Sequence, residues 1–325
     1  MRKIFSILVA AVSSINFSIT SAEEAWYLPV AGIKLDSADK QNYIRDKMNK
    51  YFHPAEGTQP AKFEVPNGWR YEKFEVDGVK MECLENPGAT TERVVLQLHG
   101  GGYILPLGDG HRNLGIKQGV VAYASKVYLV DYKIAPQNIY PAALDDAVKA
   151  YTEILRRGSN PQDIIVMGDS AGGNLALELS LYLKQNKITQ PKMLILISPW
   201  AAMDNDFPSR RFNSSRDLIL GQNTPLYEEV VKTVSYAKGF DLKDPRLSPL
   251  YANLKNLPPM LIQVGGYELF LDESVELAKK AAAEGVKVTL TVYPEMSHDF
   301  ALLLPELHES VVSFREICDF INQNI

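Results

Sequence analysis

The chain has 325 residues, of which 46% are hydrophobic and 22% charged, so it can bury a large core and is not a disordered, collagenous or low-complexity protein. Its formal net charge of −5, without a run of Lys or Arg, excludes a basic nucleic-acid-binding surface. Its two cysteines, Cys83 and Cys318, cannot build a disulfide framework or a cysteine-rich zinc site. Whether they pair stays open, because the sequence does not place distant residues in space.

Residues 1–22 have the layout of a secretory signal peptide. Arg2 and Lys3 precede the apolar stretch Ile4–Val12, and small residues lead to Ala22, after which we expect cleavage. The apolar stretch is shorter than the roughly 20 residues that cross a bilayer, and no later segment is apolar enough to span one. We therefore expect an exported protein, periplasmic or secreted after cleavage.

Residues 23–65 form a separate N-terminal segment, in which Asp39–Phe52 has the apolar spacing of an amphipathic helix. Next along the chain, Tyr71–Val76 and Val79–Leu84 flank an Asp-Gly pair, which predicts a β-hairpin.

Along residues 66–325, short apolar runs alternate with helical windows. The predicted strands are Val94–Leu98, Val127–Val130, Ile164–Met167, Met193–Ile197, Met260–Val264 and Val288–Val292. The predicted helices are Pro141–Arg157, Ala171–Lys184, Asp272–Glu284 and Glu306–Asn322. The alternation predicts one α/β domain with a mostly parallel, doubly wound sheet, helices on both faces and strands buried on both sides. Residues 201–255, with a helical stretch at Leu226–Ala237, interrupt the rhythm as an excursion from the sheet.

The sequence Gly-Asp-Ser-Ala-Gly-Gly at 168–173 stands between a strand and a helix. Gly-x-Ser-x-Gly in this setting is typical of a nucleophile elbow, in which the glycines let the chain pass close to itself and the Ser170 hydroxyl is pushed above the sheet. The alternative is a helix N-cap serine in an ordinary glycine-rich loop, and the strong strand and helix on either side favour the nucleophile. The motifs of phosphate-binding loops are absent.

The strand Val94–Leu98 leads into His99, the three glycines Gly100–Gly102, and Tyr103. Consecutive glycines are entropically costly and fit where backbone N–H groups turn towards a ligand. Acyl transfer needs such donors, because negative charge develops on the former carbonyl oxygen. We interpret the glycines as an oxyanion loop, with a flexible linker as the alternative, and His99 as a residue that positions the loop.

The general base is predicted to be a histidine that follows the nucleophile and an acid along the chain. Of five histidines, two follow Ser170: His298, in a loop directly after the strand Val288–Val292, and His308, early in a helix. Active sites of open α/β sheets lie at the carboxyl ends of strands, which favours His298.

The acid is expected after the strand Met260–Val264. Glu268 lies early in that loop, whereas Asp272 begins the next helix, where a carboxylate complements the helix N-terminus. Asp299 is adjacent to His298 and would need an unusual turn to meet its ring. We assign Glu268, and Asp272 is the alternative.

These residues resemble the hormone-sensitive-lipase-like family of α/β-hydrolase carboxylesterases, over about residues 70–325. His99–Tyr103 is similar to the family's His-Gly-Gly-Gly signature, and 168–173 to its Gly-Asp-Ser-Ala-Gly-Gly elbow. One departure is that the family's acid motif commonly reads Asp-Pro-Leu-x-Asp, where this chain has Glu268 to Asp272 without the proline.

The resemblance implies the α/β-hydrolase fold and a site that needs no metal or organic cofactor. It implies oxyanion donors at Gly101, Gly102 and Ala171. It also implies a helical cap, formed by the N-terminal segment and an insertion at 201–245.

The predicted function is that of a serine carboxylesterase, which hydrolyses small esters through an acyl-enzyme; short acyl chains follow from the resemblance. Four aromatic residues near strand ends are candidates for the substrate pocket, with a role in the hydrophobic core as the alternative: Tyr103, Trp200, Tyr267 and Phe300.

An acetyl-carbohydrate or feruloyl esterase is the alternative function within hydrolases. A small-molecule receptor on the same fold and a catalytically idle scaffold are the alternatives outside them. The oligomeric state stays open, with a homo-oligomer as one alternative.

Overall fold

The computed structural model describes residues 31–55 and 62–325, in which one eight-stranded sheet organises the chain. The strands are β1 (Arg70–Val76), β2 (Val79–Glu85), β3 (Val94–Leu98), β4 (Lys126–Asp131), β5 (Ile164–Asp169), β6 (Met193–Ile197), β7 (Met260–Gly265) and β8 (Val288–Tyr293). Their order across the sheet is β1-β2-β4-β3-β5-β6-β7-β8. Strand β2 runs antiparallel to both of its neighbours, and all other pairs are parallel.

Helices follow most of the strands. They are α1 (Ser37–Phe52), α2 (Asp109–Ala122), α3 (Ala142–Arg156), α4 (Ala171–Gln185), α5 (Pro208–Phe212), α6 (Leu271–Ala283), α7 (Phe300–Leu303) and α8 (His308–Gln323). Side chains of β4 point alternately to opposite faces of the sheet. Val127 and Leu129 lie next to Gly115 of α2, whereas Tyr128 lies beside Arg157 at the end of α3. Helices therefore cover both faces, as the sequence predicts.

The predicted hairpin is confirmed. At its tip Asp77 and Gly78 have φ of 49° and 79°, and two consecutive positive φ values give the type I′ turn that matches the twist of paired strands. The four central strands β3, β5, β6 and β7 are buried along their whole length. The same expectation is wrong for β8, because it lies at the edge of the sheet and all its residues before Tyr293 are partly or fully exposed.

Two helical segments differ from the sequence analysis. Helix α2 has no predicted counterpart, since three glycines weaken its helical pattern; a Cβ on Gly119 would lie 2.7 Å from Val127, so its small residues allow close packing on the sheet. The predicted helix Leu226–Ala237 is broken at Val234, whose φ is 44°, into separate turns at Tyr227–Lys232 and Ser235–Ala237.

The described residues contain no helix that combines the length and the apolar character needed to cross a membrane. The predicted signal segment 1–22 lies outside the described residues. Cys83 and Cys318 are both free thiols, so they do not pair with each other.

Glu178 is a buried carboxyl group in the middle of α4. It is 2% exposed, and neither of its oxygens meets a hydrogen-bond donor among the described residues. Burial disfavours the carboxylate and raises the pKa of Glu178 well above its ordinary value. The folded chain therefore holds a proton that the unfolded chain loses above about pH 4.3. Stability falls as pH rises from there towards the folded-state pKa.

We expect Glu178→Gln to raise the free energy of unfolding, by at least about 1 kcal/mol more at pH 9 than at pH 5, because the amide removes the cost of a buried charge. Urea denaturation at the two pH values measures this. Glu153→Gln on α3 is the matched control. Arg156 and Arg157 donate hydrogen bonds to the Glu153 carboxylate and lower its pKa to about 2, so this substitution should not stabilise the protein. An unchanged pH dependence in Glu178→Gln would contradict the expectation.

Candidate active site

Ser170 lies at the sharp turn between β5 and α4, with φ of 52° and ψ of −119°. This strained conformation is fixed by its surroundings. A Cβ on Gly168 would lie 2.2 Å from the carbonyl oxygen of Gly172, and a Cβ on Gly172 would lie 1.9 Å from that of Leu98. No side chain fits at either glycine, so the sequence allows the turn only with glycine at both positions.

The structure brings the predicted base to this serine. Nε2 of His298 lies 2.8 Å from Oγ of Ser170, and Nδ1 lies 3.1 Å from Oε2 of Glu268. His298 follows β8 and Glu268 follows β7, so the carboxyl ends of three parallel strands carry the three groups. All three side chains are buried.

The structure places Glu268, and not Asp272, at the imidazole. Oε1 of Glu268 also accepts hydrogen bonds from Oγ of Ser198 at 2.6 Å and from the N–H of Gly265 at 2.5 Å, which fixes the carboxyl orientation. Asp272 instead accepts from the N–H of Ser209 at 2.8 Å. Burial raises the pKa of Glu268 to about 7, although the hydrogen bond with the imidazole acts in the opposite direction.

The glycine loop lies in front of the serine. Gly101 and Gly102 have φ of 107° and 61°, values that side-chain-bearing residues rarely adopt, and both line the cavity at Ser170. The N–H of Gly100 is already bonded to Oδ2 of Asp169 at 3.0 Å, which anchors the loop on the elbow. Ala171 is the first residue of α4, so its N–H belongs to a helix N-terminus that favours negative charge.

His99 is buried behind the loop. Its ring stacks on Tyr132 with centroids 4.1 Å apart, and its Nδ1 lies 2.7 Å from the carbonyl oxygen of Gly100. Burial lowers the pKa of His99 to about 4, so the ring is neutral at pH 7. These contacts agree with the interpretation of His99 as a residue that positions the loop.

A cavity of about 50 Å³ opens at the serine. It is lined by Tyr51, Gly101, Gly102, Leu105, His111, Asp169, Ser170, Ile219, Leu220, Leu226, Val230, His298, Asp299, Leu302 and Leu303. Tyr51 comes from α1 in the N-terminal segment, and four aliphatic residues come from the 201–245 region. Both segments that the sequence analysis assigns to a cap therefore reach the cavity.

The comparisons with known proteins agree with this geometry. Residues 95–302 match the family described as alpha/beta hydrolase fold. An esterase of Acinetobacter venetianus is 34% identical over 249 residues, which are 75% of this chain and 78% of that protein. The putative acetyl-hydrolase LipR of Mycobacterium tuberculosis is 31% identical over 258 residues, which are 78% of this chain and 82% of that protein.

A solved structure of a hormone-sensitive lipase from a metagenome library superposes with a TM-score of 0.78 at 30% identity, covering 90% of this chain and all of that one. This chain belongs to the hormone-sensitive-lipase-like esterases of the α/β-hydrolase family. An esterase from the bacterial hormone-sensitive lipase family has a TM-score of 0.75 at 28% identity and covers 99% of this chain and 98% of its own.

The aromatic residues proposed for the pocket of this esterase do not line its cavity. The ring of Tyr103 stacks on Tyr236 with centroids 4.0 Å apart, and its hydroxyl donates to Oδ1 of Asn174 at 2.7 Å. Trp200 is 1% exposed and stacks on Phe270. Both residues belong to the core, where large rings bury the most surface.

The other two aromatic residues also lie elsewhere in the esterase. Phe300 is completely buried against Tyr293, with ring centroids 4.9 Å apart. Tyr267 is partly exposed and lies under the guanidinium of Arg216, 5.4 Å from its centroid. The apolar part of the lining is mostly aliphatic instead.

Sequence reasoning missed Asp217, a buried carboxyl in the 201–245 region of the esterase. Its Oδ2 accepts from the N–H of Leu269 at 3.0 Å, and its Oδ1 accepts from the N–H groups of Ile219 at 3.0 Å and His298 at 3.4 Å. Asp217 therefore joins the cap insertion to the acid loop and the base loop. No motif marks this residue, because the loops that it joins, at Leu269 and His298, are far along the chain.

Proposed function

We propose that this esterase is a serine carboxylesterase that hydrolyses esters of short carboxylic acids through an acyl-enzyme. The observation that carries the proposal is the hydrogen-bonded chain from Ser170 through His298 to Glu268, with distances of 2.8 and 3.1 Å. The names of similar proteins, an esterase and a putative acetyl-hydrolase, support the same reaction class.

In the first half of the reaction, His298 accepts the hydroxyl proton of Ser170 as the oxygen attacks the ester carbonyl. Glu268 accepts a hydrogen bond from Nδ1–H of the imidazole. This bond keeps the ring in the tautomer whose Nε2 is free to act as the base, and the carboxylate stabilises the imidazolium that forms.

The negative charge that develops on the former carbonyl oxygen is met by the N–H groups of Gly101, Gly102 and Ala171. The imidazolium then gives its proton to the leaving alcohol oxygen, and the acyl group stays on Ser170. Water enters, loses a proton to His298 and releases the carboxylic acid by the same route.

The cavity supports short acyl groups. Its volume of about 50 Å³ is small beside the roughly 300–1,000 Å³ of pockets that hold drug-sized ligands. Leu105, Leu220 and Leu302 are among its aliphatic walls, which suit an alkyl chain.

We expect kcat/KM for p-nitrophenyl esters to be highest between acetate and butyrate and at least about tenfold lower for decanoate, because a longer chain meets the aliphatic walls. Val230→Ala should shift the preference to longer chains, since Cγ2 of Val230 lies 2.5 Å from where a Cβ on Gly102 would be and forms the wall there. A chain-length series with acetylated xylan alongside measures both.

Val231→Ala is the matched control, because Val231 is buried next in sequence but does not line the cavity. It should keep the wild-type chain-length profile. A flat profile up to decanoate in the wild-type protein would contradict the proposal of a short-chain substrate.

We also propose that the protein is exported. The basic start, the short apolar stretch and the small residues up to Ala22 support this location.

A further inference from the structure

A second carboxylate meets the catalytic imidazole at its other nitrogen. Oδ2 of Asp299 lies 3.2 Å from Nε2 of His298, the same atom that is 2.8 Å from Oγ of Ser170. Asp299 is 6% exposed and lines the cavity, and its Oδ1 has no hydrogen-bond partner among the described residues. The two ring nitrogens of His298 therefore each face a carboxyl group, since Glu268 is at Nδ1.

The contact requires an unusual backbone, and the structure provides it. Asp299 has φ of 50° and ψ of 33°, the left-handed conformation that turns its side chain back towards the preceding ring. Its N–H donates to Oγ of Ser198 at 3.1 Å, and that hydroxyl donates to Oε1 of Glu268 at 2.6 Å. The hydroxyl of Ser198 therefore contacts both Glu268, which faces Nδ1, and the backbone of Asp299, which faces Nε2.

The energy of this contact depends on where the proton is. In the resting enzyme Nε2 is an acceptor for the Ser170 hydroxyl, so the carboxylate of Asp299 faces a lone pair and gains nothing from it. When Nε2 has taken the proton, the ring carries a positive charge, and the carboxylate oxygen of Asp299 lies 3.2 Å from that nitrogen. An interaction that exists only after proton transfer favours the transition state over the ground state.

We propose that Asp299 is a fourth catalytic residue, whose carboxylate stabilises the positive charge of the imidazolium at Nε2 while the proton passes from Ser170 to the leaving alcohol. This proposal rests on the serine mechanism given above. No further reactant enters: the proton remains on Nε2 during the contact and leaves with the alcohol oxygen.

The other titratable groups around His298 define the electrostatic setting. They are Glu268 from the acid loop, Asp169 at the end of β5, Asp217 from the cap insertion and Tyr51 from α1. Burial and the neighbouring Asp299 raise the pKa of Asp169 well above its ordinary value, although the N–H of Gly100 acts in the opposite direction. Burial opposes the imidazolium, but the carboxylates of Asp299 and Glu268 outweigh it and raise the pKa of His298.

The sign of the expected pH effect follows. The base must be neutral to accept a proton, so activity falls on the acid side as His298 becomes protonated. A carboxylate at Nε2 raises that pKa. Without it, the acid limb of the kcat/KM profile moves to lower pH by about 1 unit. At the same time the plateau of kcat falls, because the imidazolium in the transition state loses a partner.

We expect Asp299→Asn to lower the plateau kcat at least about tenfold and to shift the acid limb downwards. Asn tolerates the left-handed backbone, and Asp299→Gly is the second variant, because glycine adopts this φ without strain. Asp272→Asn is the matched control: it removes one carboxylate close to the site, and its contact is with Ser209 rather than the imidazole. Its acid limb should stay in place.

The proposal is overturned if both variants at position 299 keep the wild-type acid limb and plateau, or if Asp272→Asn shifts the limb as far as they do. A loss of kcat without any shift, together with a lowered melting temperature in both variants, would also overturn it, since that result describes a structural residue. Failure of the serine mechanism is distinguished separately: wild-type protein would then show no ester hydrolysis and no labelling by a fluorophosphonate.

Discussion

Ser170→Ala is expected to lower kcat for p-nitrophenyl acetate by at least about 10⁴-fold while the fold stays intact. The oxygen of Ser170 is the atom that forms the acyl bond, and among residues 31–55 and 62–325 no other hydroxyl is hydrogen-bonded to the ring of His298. The methyl group of alanine fits the same turn, because the turn is fixed by Gly168 and Gly172 and not by the hydroxyl. Initial rates and far-UV circular dichroism of the two proteins measure the effect.

Ser215→Ala is the matched control for that substitution, since Ser215 is exposed. It should keep wild-type rates and covalent labelling by a fluorophosphonate, which Ser170→Ala should lose. Wild-type turnover in Ser170→Ala would exclude the acyl-enzyme mechanism, and absence of labelling in the wild-type protein would favour a binding protein on the same fold.

Glu268→Gln is expected to lower kcat about 10³- to 10⁴-fold. The carbonyl oxygen of the amide can still accept the bonds from Ser198 and the N–H of Gly265, which leaves its NH₂ group facing Nδ1 of His298. The ring then carries its proton on Nε2, so it cannot accept one from the serine. Steady-state kinetics at the pH optimum measure the loss.

Asp272→Asn decides between the two acids that the sequence leaves open. Its carboxylate accepts from the N–H of Ser209, and it lies on the helix that follows the acid loop. We expect activity within about threefold of wild type, since the amide oxygen of asparagine can still accept from Ser209 and the side chain does not contact the imidazole. If Asp272→Asn lost activity and Glu268→Gln retained it, the assignment of the acid would be reversed.

The sequence predicts the parts of this esterase in which local pattern and chemistry coincide. The parallel strands are apolar runs, and the elbow needs glycine at 168 and 172 because backbone atoms occupy the space of a side chain. The order along the chain leaves His298 and His308 as candidates for the base, and the position of His298 directly after a strand selects it.

The sequence does not predict features that depend on contacts between distant segments. The cavity wall is formed by aliphatic residues of the 201–245 region and α7, where no periodicity marks which side chains face the serine. Asp217 and Asp299 belong to the same class. Asp299 depends on a left-handed backbone conformation, and Asp217 on a set of backbone N–H donors. Both arrangements exist only in the folded protein. The aromatic residues at strand ends were a wrong prediction for the pocket, because large rings there pack mainly into the core.

The catalytic groups and much of the apolar cavity wall come from different parts of the chain, and this separation has an evolutionary consequence. The reacting groups stand directly after strands of the sheet, whereas four aliphatic residues of the cavity come from one insertion with little regular structure: Ile219, Leu220, Leu226 and Val230. Substitutions in that insertion can therefore change which acids are accepted without disturbing bond cleavage. Related esterases can therefore differ in substrate preference through changes in a single stretch of about 45 residues, while the catalytic groups stay the same.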